Sequence, residues 1–170
     1  MTATPAGGVT VRLAELGDAE AICSIYNREV TRSTATFDLV PRSLLEQEQW
    51  LVEHSGAHPA VVAEDDAHHV LGFGALGPYR SRPAYATTVE DSVYVRPEYQ
   101  RQGIGRALLA ELIRLATVHG FHAVIGRIVD GHAASIGLHR ACGFELVGVE
   151  REVGRKFGRW LDVVVMERLL

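Results

Sequence analysis

One stretch of the chain, from Val93 to Arg106, decides the fold, and it reads VYVRPEYQRQGIGR. The alternating apolar residues at its start are typical of a β-strand. Pro97 has no amide hydrogen and cannot continue the ladder of a strand, so the strand ends before it. Gly103 and Gly105 follow, and glycine permits the left-handed backbone angles of a tight turn. The stretch therefore predicts a strand and a turn that lead directly into a helix.

The helix after this turn is the most strongly patterned segment of the chain. Between Gly103 and His119, apolar residues recur at helical spacing and form one stripe. The first amides of such a helix have no acceptor within the helix, and the helix dipole adds positive charge at that end. Two interpretations stay open. Either the turn binds a phosphate, with charge-assisted bonds from Arg101 and Arg106, or it is purely structural.

Two common nucleotide-binding motifs do not fit this turn. A P-loop has Gly-Lys-Ser/Thr, whereas Gly105 is followed by Arg106. The dinucleotide fingerprint GxGxxG needs a third glycine where Leu108 stands. The turn therefore argues against both classes of nucleotide-dependent enzyme.

The rest of the chain alternates between predicted strands and predicted helices. Periodicity and turn residues predict strands at 9–13, 59–63, 70–76, 87–95, 123–129, 144–149 and 162–169, and helices at 19–31, 44–51, 103–119 and 133–141. Asp18 and Ser43 are placed to cap the first two helices. The polar segment 64–69 predicts an antiparallel hairpin between the second and third strands. The fold class is therefore α/β, of the mixed α+β kind.

Composition is typical of a globular domain. The chain has 170 residues, of which 47% are hydrophobic and 22% charged. A net charge of −4 gives no support for binding to nucleic acid or to an anionic membrane. No apolar run approaches the roughly 20 residues that a membrane helix needs. We expect a single domain over 1–170, with a frayed terminus at 1–8.

The cysteines and histidines predict neither a disulfide nor a metal site. Cys23 and Cys142 lie far apart and form no CxxC pair, so we expect reduced thiols and a cytoplasmic protein. The histidines show no metal-ligand spacing together with carboxylates on one element, and no metal is expected.

Several motifs together resemble one enzyme family. The glycine turn after a valine-rich strand resembles the acyl-CoA motif of the GNAT acetyltransferase superfamily, and 132–144 resembles a helix of that family. Further segments are similar to the phosphinothricin and methionine sulfone N-acetyltransferase branch, namely 26–27, 34–38, 82–85, 88–95 and 153–162. The resemblance covers almost the whole chain, from Val9 to Leu170.

This resemblance implies a fold and a co-substrate. The implied fold is a twisted, mostly antiparallel sheet of about seven strands with splayed central strands, flanked by about four helices. Acetyl-CoA is expected in the wedge between the splayed strands. The implied cofactor-binding residues are Val93, Tyr94 and Val95 through their backbone, Arg101, Gln102, Gly103, Ile104, Gly105 and Arg106 at the pyrophosphate, and His132 and Ser135. His132 departs from the Asn that many relatives have there.

The resemblance also implies the chemistry. The expected reaction is direct transfer of an acetyl group to the primary amine of a small amino acid such as phosphinothricin, methionine sulfone or methionine sulfoximine. Glu90 is the expected general base, directly or through a water, because an ammonium must lose a proton before it attacks. His139 stands where many relatives have a tyrosine and is expected to protonate the departing thiolate. The alternatives are a solvated or ion-paired Glu90 and a His139 bonded to backbone.

The expected acceptor site lies beside Glu90. Arg80 and Arg82 are expected to bind the carboxylate of the acceptor, because a planar guanidinium matches a carboxylate. The alternative is a solvated basic loop. Tyr85 and Phe37 are expected to form walls of the same site, and Asn27 either bonds the substrate or orders the neighbouring loop.

A homodimer is also expected, through the segment Lys156–Trp160 beside the active site, since aromatic and arginine side chains often anchor interfaces. The alternative for this segment is a hairpin with one buried tryptophan. Two other functions stay open. A peptide or protein amino-terminal acetyltransferase would have an open groove, and a non-catalytic acyl-CoA sensor would need neither Glu90 nor His139.

Overall fold

The computed structural model describes residues 8–170, and the predicted frayed terminus lies outside them except for Gly8. The described elements are β1 (Thr10–Leu13), α1 (Ala19–Arg32), α2 (Leu44–Glu53), β2 (Ala60–Glu64), β3 (Val70–Pro78), β4 (Thr88–Val95), α3 (Ile104–Val118), β5 (Ala123–Val129), α4 (Ala133–Ala141), β6 (Glu145–Lys156) and β7 (Arg159–Leu169). Their number and order confirm the predicted mixed α/β class.

All seven strands belong to one sheet, in the order β1-β2-β3-β4-β5-β7-β6. Every neighbouring pair is antiparallel except β4 and β5, which run parallel and are connected through α3. The predicted hairpin of β2 and β3 is confirmed.

The sheet opens between its two central strands. The pairing of β4 with β5 begins at Thr88 opposite Ala123 and ends at Asp91 opposite Gly126. Beyond this point β4 continues to pair with β3, and β5 continues to pair with β7. The splayed central strands that the resemblance implies are therefore confirmed.

Helices cover both faces of the sheet. The apolar stripe of α3 packs against β2, β3 and β4 and includes the fully buried Leu108, Leu109 and Leu112. On the other face, Ile22 of α1 and Phe73 of β3 belong to a second buried cluster. The sheet therefore lies between two well-packed layers.

Alternation along β4 gives its two faces different roles. Val89, Val93 and Val95 belong to the cluster around α3, whereas Tyr94 packs with the cluster of α1. Because successive side chains of a strand point to opposite faces, Glu90 shares the face of Tyr94.

The last two strands are longer than predicted. β6 continues to Lys156 and β7 begins at Arg159, so only Phe157 and Gly158 connect them. The φ angles of these two residues are 50° and 74°, as a two-residue hairpin turn requires. The sequence conceals the length of β6 because its register is irregular between Glu150 and Gly154.

The two predicted helix caps have different outcomes. Ser43 caps α2, because its hydroxyl accepts from the amide of Glu46. Asp18 is the N-cap residue of α1, as predicted, but its side chain makes no cap bond to the helix. Its carboxylate instead accepts from the Arg12 guanidinium at 2.7 and 2.9 Å.

Candidate active site

The glycine turn presents free amides at the start of α3. Gly103 is the N-cap residue in a left-handed conformation with φ 85°, and Arg101 also has a positive φ of 62°. Both residues are exposed. The amides that follow Gly103 have no acceptor within the helix, so an anion can accept from them.

The second glycine of the turn has a different role. A Cβ atom at Gly105 would lie 3.3 Å from Cδ2 of Leu138 in α4. A side chain at position 105 would therefore press on Leu138, so the absence of a Cβ at Gly105 also favours the close packing of α3 on α4.

The edge of β4 faces the opening in the sheet. Val93, Tyr94 and Val95 pair with Gly74, Phe73 and Gly72 of β3 on one side. On the other side they lie beyond the last residue that pairs with β5, which is Asp91. An extended ligand such as the pantetheine arm of CoA can add to an edge of this kind.

Glu90 lines a cavity of about 260 Å³ on the opposite face of the sheet from α3. The wall of this cavity includes Tyr26, Arg42, Trp50, Phe73, Ser92 and Tyr94. Burial raises the pKa of Glu90, and the positive charge of Arg127 opposes this effect in part. Arg127 itself pairs with Glu150. A partly desolvated carboxylate with a raised pKa is the kind of group that can accept a proton near neutral pH.

His139 is buried rather than open to the cavity, with 4% of its surface exposed. Its Nε2 lies 3.1 Å from Oδ2 of Asp91, and its Nδ1 lies 2.8 Å from the carbonyl oxygen of Ser135. A carbonyl oxygen can only accept, so Nδ1 carries a hydrogen and donates it. Both ring nitrogens are occupied within the protein, and this placement argues against the expected role as acid for the thiolate.

The two arginines of the β3–β4 loop lie outside the cavity wall. Arg80 and Arg82 are exposed. The guanidinium of Arg80 lies 4.9 Å from the ring of Tyr79 and 6.0 Å from the ring of Tyr85. The charge of Arg80 opposes the rise in the pKa of Glu90 only as a small contribution beside burial and Arg127.

Asn27 is engaged by its own loop. Its Oδ1 accepts from the amide of Arg42 at 2.8 Å, and its Nδ2 donates to the carbonyl of Arg42 at 2.7 Å. The loop-ordering alternative for Asn27 describes this arrangement, and its expected role in binding the substrate does not.

The loop between α1 and α2 is held by two distant elements. His132, at the N-cap of α4, places Nε2 at 2.9 Å from Oγ1 of Thr34. Lys156 of β6 donates from Nζ to the carbonyl of Thr36 at 2.8 Å. Phe37 is partly exposed and packs so closely on Gly154 that a Cβ there would lie 2.3 Å from its ring.

Lys156 was predicted to belong to the dimer contact, and its position in the structure shows that this prediction is wrong for Lys156. Only 2% of its surface is exposed, and burial lowers the pKa of its ammonium group. It is therefore an internal residue of its own chain and not a contact residue for a second copy. Phe157 and Trp160 are exposed, so the alternative with one buried tryptophan is wrong.

Most residues of the cavity wall were not singled out as site residues from the sequence, and Tyr26, Trp50 and Arg42 are among them. Tyr26 and Trp50 follow the helical spacing of α1 and α2 and look like ordinary core residues. Arg42 precedes the α2 cap in a turn and carries no pattern of its own. The sequence did contain one signal that was not used: Arg127 is a charged residue within an apolar strand.

The structure adds two further observations. Within residues 8–170, no helix is long and apolar enough to cross a membrane. The same residues contain no group of three or more His, Cys, Asp or Glu side chains that could hold a metal ion.

The opening between β4 and β5 and the free amides at the start of α3 can together receive an extended ligand that carries a pyrophosphate, such as CoA. Residues 19–144 match the model of the Acetyltransferase (GNAT) family. The chain belongs to this family and is an acetyl-CoA-dependent N-acetyltransferase.

Individual relatives agree with this assignment. The L-methionine sulfoximine/L-methionine sulfone acetyltransferase of Pseudomonas aeruginosa is 40% identical, covering 93% of this chain and 92% of that protein. A phosphinothricin acetyltransferase from Sinorhizobium meliloti, solved in complex with AcCoA, is 41% identical with a TM-score of 0.91, covering 95% of this chain and 88% of that chain. A Brucella melitensis structure titled ribosomal-protein-alanine N-acetyltransferase is 40% identical with a TM-score of 0.92, covering 95% and 99%.

Proposed function

We propose that the protein transfers the acetyl group of acetyl-CoA to the α-amine of a small free amino acid. The observation that carries the proposal is the position of Glu90, a half-buried carboxylate in an aromatic cavity beside the fork of β4 and β5. A cavity of about 260 Å³ suits one small acceptor better than a peptide chain. The names of the Pseudomonas and Sinorhizobium relatives support acceptors such as methionine sulfone, methionine sulfoximine and phosphinothricin.

The reaction proceeds by direct attack while both substrates are bound. Glu90 takes a proton from the ammonium group of the acceptor, directly or through a water. The freed amine nitrogen then forms a bond to the thioester carbon and the C–S bond breaks, while the second proton of the nitrogen passes to the departing CoA thiolate. His139 has no acid role in this proposal, because both of its ring nitrogens have partners inside the protein.

Acetyl-CoA is held by the backbone rather than by a cluster of charged side chains. The unpaired edge of Val93–Val95 receives the pantetheine arm, and an amide there polarises the thioester carbonyl. The amides after Gly103 receive the pyrophosphate, with Arg101 and Arg106 beside it. The AcCoA complex of the Sinorhizobium relative supports this co-substrate.

Assembly and location extend the proposal. β6 is an edge strand of the sheet, and its hairpin with β7 exposes Val153, Phe157 and Trp160. An apolar surface on an edge hairpin supports a homodimer formed there. The free cysteines Cys23 and Cys142 are compatible with a reducing compartment, in keeping with a cytoplasmic enzyme.

The test is release of CoA thiol with methionine sulfone, phosphinothricin and a peptide amine as acceptors. We expect turnover with the free amino acids and not with the peptide. Glu90→Gln is expected to lower kcat by roughly 10²–10⁴-fold, whereas Glu20→Gln, an exposed carboxylate of α1, leaves it unchanged. Because the pKa of Glu90 is raised, activity is expected to fall as pH decreases through a value above the ordinary carboxylate range. Near-normal turnover of Glu90→Gln would end its assignment as base.

One observation favours a second candidate function. The Brucella structure carries the name of an enzyme that acts on a ribosomal protein alanine, which supports a peptide amino terminus as acceptor. Turnover with the peptide alone would establish that alternative and leave the CoA site in place. Tight binding of acetyl-CoA without turnover of any acceptor would favour the sensor.

A further inference from the structure

The acceptor cavity contains a positively charged side chain, that of Arg42, which the sequence did not predict as part of the acceptor site. Among the described residues that line the cavity with Glu90, Arg42 is the one arginine or lysine. It is half-buried, with 22% of its side chain exposed. Arg80 and Arg82 lie outside this wall, on the β3–β4 loop. Arg42 comes from the other side of the site, at the end of the α1–α2 connection.

Two aromatic rings lie beside the guanidinium group of Arg42, and a side-chain amide fixes its backbone. Its guanidinium carbon lies 4.0 Å from the centre of the Tyr26 ring and 5.4 Å from that of Trp50. Asn27 fixes both the amide and the carbonyl of Arg42. Stacking holds a guanidinium through its π-faces and leaves its N–H groups free to donate in its own plane.

Partners within the protein satisfy the guanidinium only weakly. Asp38 Oδ2 and Gln47 Oε1 each lie 3.5 Å from an Arg42 nitrogen, beyond the usual range of a strong hydrogen bond. Asp38 is half-exposed and already accepts a hydrogen bond of 2.6 Å from Tyr26. A guanidinium has five N–H donors, so Arg42 keeps donors for an oxygen that enters the cavity.

The cavity separates the two ends of an amino acid acceptor. The amine must reach Glu90, and the carboxylate, which is bonded to the same α-carbon, must stay near it. The side chain then extends along the aromatic lining of the cavity, which includes Tyr94 and Trp50. These apolar faces suit methylene groups, and Arg42 lines the same cavity beside Tyr26 and Trp50.

The geometry points to Arg42 as the residue that binds the oxygen atoms at the end of the acceptor's side chain. It selects amino acids whose side chain ends in an oxidised tetrahedral sulfur or phosphorus, a sulfone, sulfoximine or phosphinate, over those that end in a thioether or hydrocarbon. This role rests on the proposed function and assigns the specificity of that site to a residue of the α1–α2 loop.

The test compares acceptors that differ only at the end of the side chain. In Arg42→Met, kcat/KM for methionine sulfone and phosphinothricin is expected to fall at least about tenfold, as for a lost charge-assisted hydrogen bond, mainly through KM. The values for L-methionine and L-norleucine are expected to stay within about twofold. Arg42→Lys, which keeps the charge without the planar fork, is expected to lie between the two. Arg28→Met, an exposed arginine of α1, is the matched control and is expected to match the unmodified protein.

For acceptors that are acetylated too slowly for a kinetic assay, the Kd can be measured by fluorescence. The chain has two tryptophans, so Trp160→Phe leaves Trp50, which lies beside Arg42, as the fluorescent reporter. In this background Arg42→Met is expected to raise the Kd of methionine sulfone at least about tenfold, while that of L-methionine does not change.

Each other outcome overturns the inference in a recognisable way. An equal loss for sulfone and methionine would mean that Arg42 binds the carboxylate or only shapes the cavity. No change with any acceptor would mean that Arg42 does not touch it. If the unmodified protein acetylated the peptide and no free amino acid, the proposed function itself would fail together with the inference.

Discussion

The buried pair of Asp91 and His139 gives the most quantitative prediction. Their exposed fractions are 7% and 4%. Asp91 is the last residue of β4 that pairs with β5. His139 fills the space above Gly126, where a Cβ atom would lie 2.7 Å from its Cδ2. The pair therefore connects α4 to the fork of the sheet, and removal of one member leaves the other buried without its partner.

We expect His139→Leu alone, and Asp91→Val alone, each to lower the free energy of unfolding by about 3–5 kcal/mol. This is a large share of the roughly 5–15 kcal/mol that holds a domain together. At about 2–4 °C per kcal/mol for a chain of this size, Tm should fall by roughly 6–20 °C. The double variant leaves neither a buried charge nor an unmatched donor, so its loss should be smaller than the sum of the single losses.

The pH dependence of stability follows from the direction of the shift in His139. Burial alone would lower the pKa of His139, but the Asp91 carboxylate and the Ser135 carbonyl outweigh burial and raise it. A raised pKa in the folded state contributes stability that is complete below the ordinary histidine value of about 6.5 and is lost as pH rises through the folded value. The difference in stability between the unmodified protein and the double variant should therefore shrink as pH rises.

Urea unfolding of the four proteins between mildly acidic and alkaline pH measures both effects. Additive losses in the double variant would show that the two side chains stabilise the fold independently. A stability difference that grew with pH would refute the raised pKa of His139 as the source of the pH dependence.

Three further predictions concern the cofactor turn, the acceptor loop and the hairpin. Gly103→Val should weaken acetyl-CoA binding, measured by calorimetry, without loss of the fold, because a β-branched residue resists a φ of 85°; unchanged affinity would remove the turn from the site. Lys156→Met should raise the acceptor KM and leave the Kd of acetyl-CoA unchanged, because the carbonyl of Thr36 loses its donor; equal changes in both would contradict this. Trp160→Glu should shift the protein towards the monomer in sedimentation, because it places a charge on an exposed apolar surface; an unchanged mass would exclude this hairpin as the contact.

Local patterns predicted the elements that are stabilised by local contacts. The stripe of α3 and the apolar run of β5 follow from spacing within one segment, and β5 spans Ala123–Val129 as predicted. The positions of Lys156 and Arg42 could not be predicted in this way. Lys156 is buried because Thr36, far away in the chain, offers its carbonyl. Arg42 belongs to the site because two helices bring Tyr26 and Trp50 together.

A single strand supplies three different parts of the site, and this explains why its register matters. The side chain of Glu90 points into the acceptor cavity, the backbone from Val93 faces the opening, and Asp91 supports the fork from the other face. Alternation along β4 separates the base from the support by one residue. A shift of one residue would bring Asp91 to the acceptor face and remove Glu90 from it, as any slip by one exchanges the two faces of a strand. Seven residue pairs join β4 to β3, from Gly72–Val95 to Pro78–Val89, and they prevent this shift. They therefore keep Glu90, the proposed base, in the wall of the cavity.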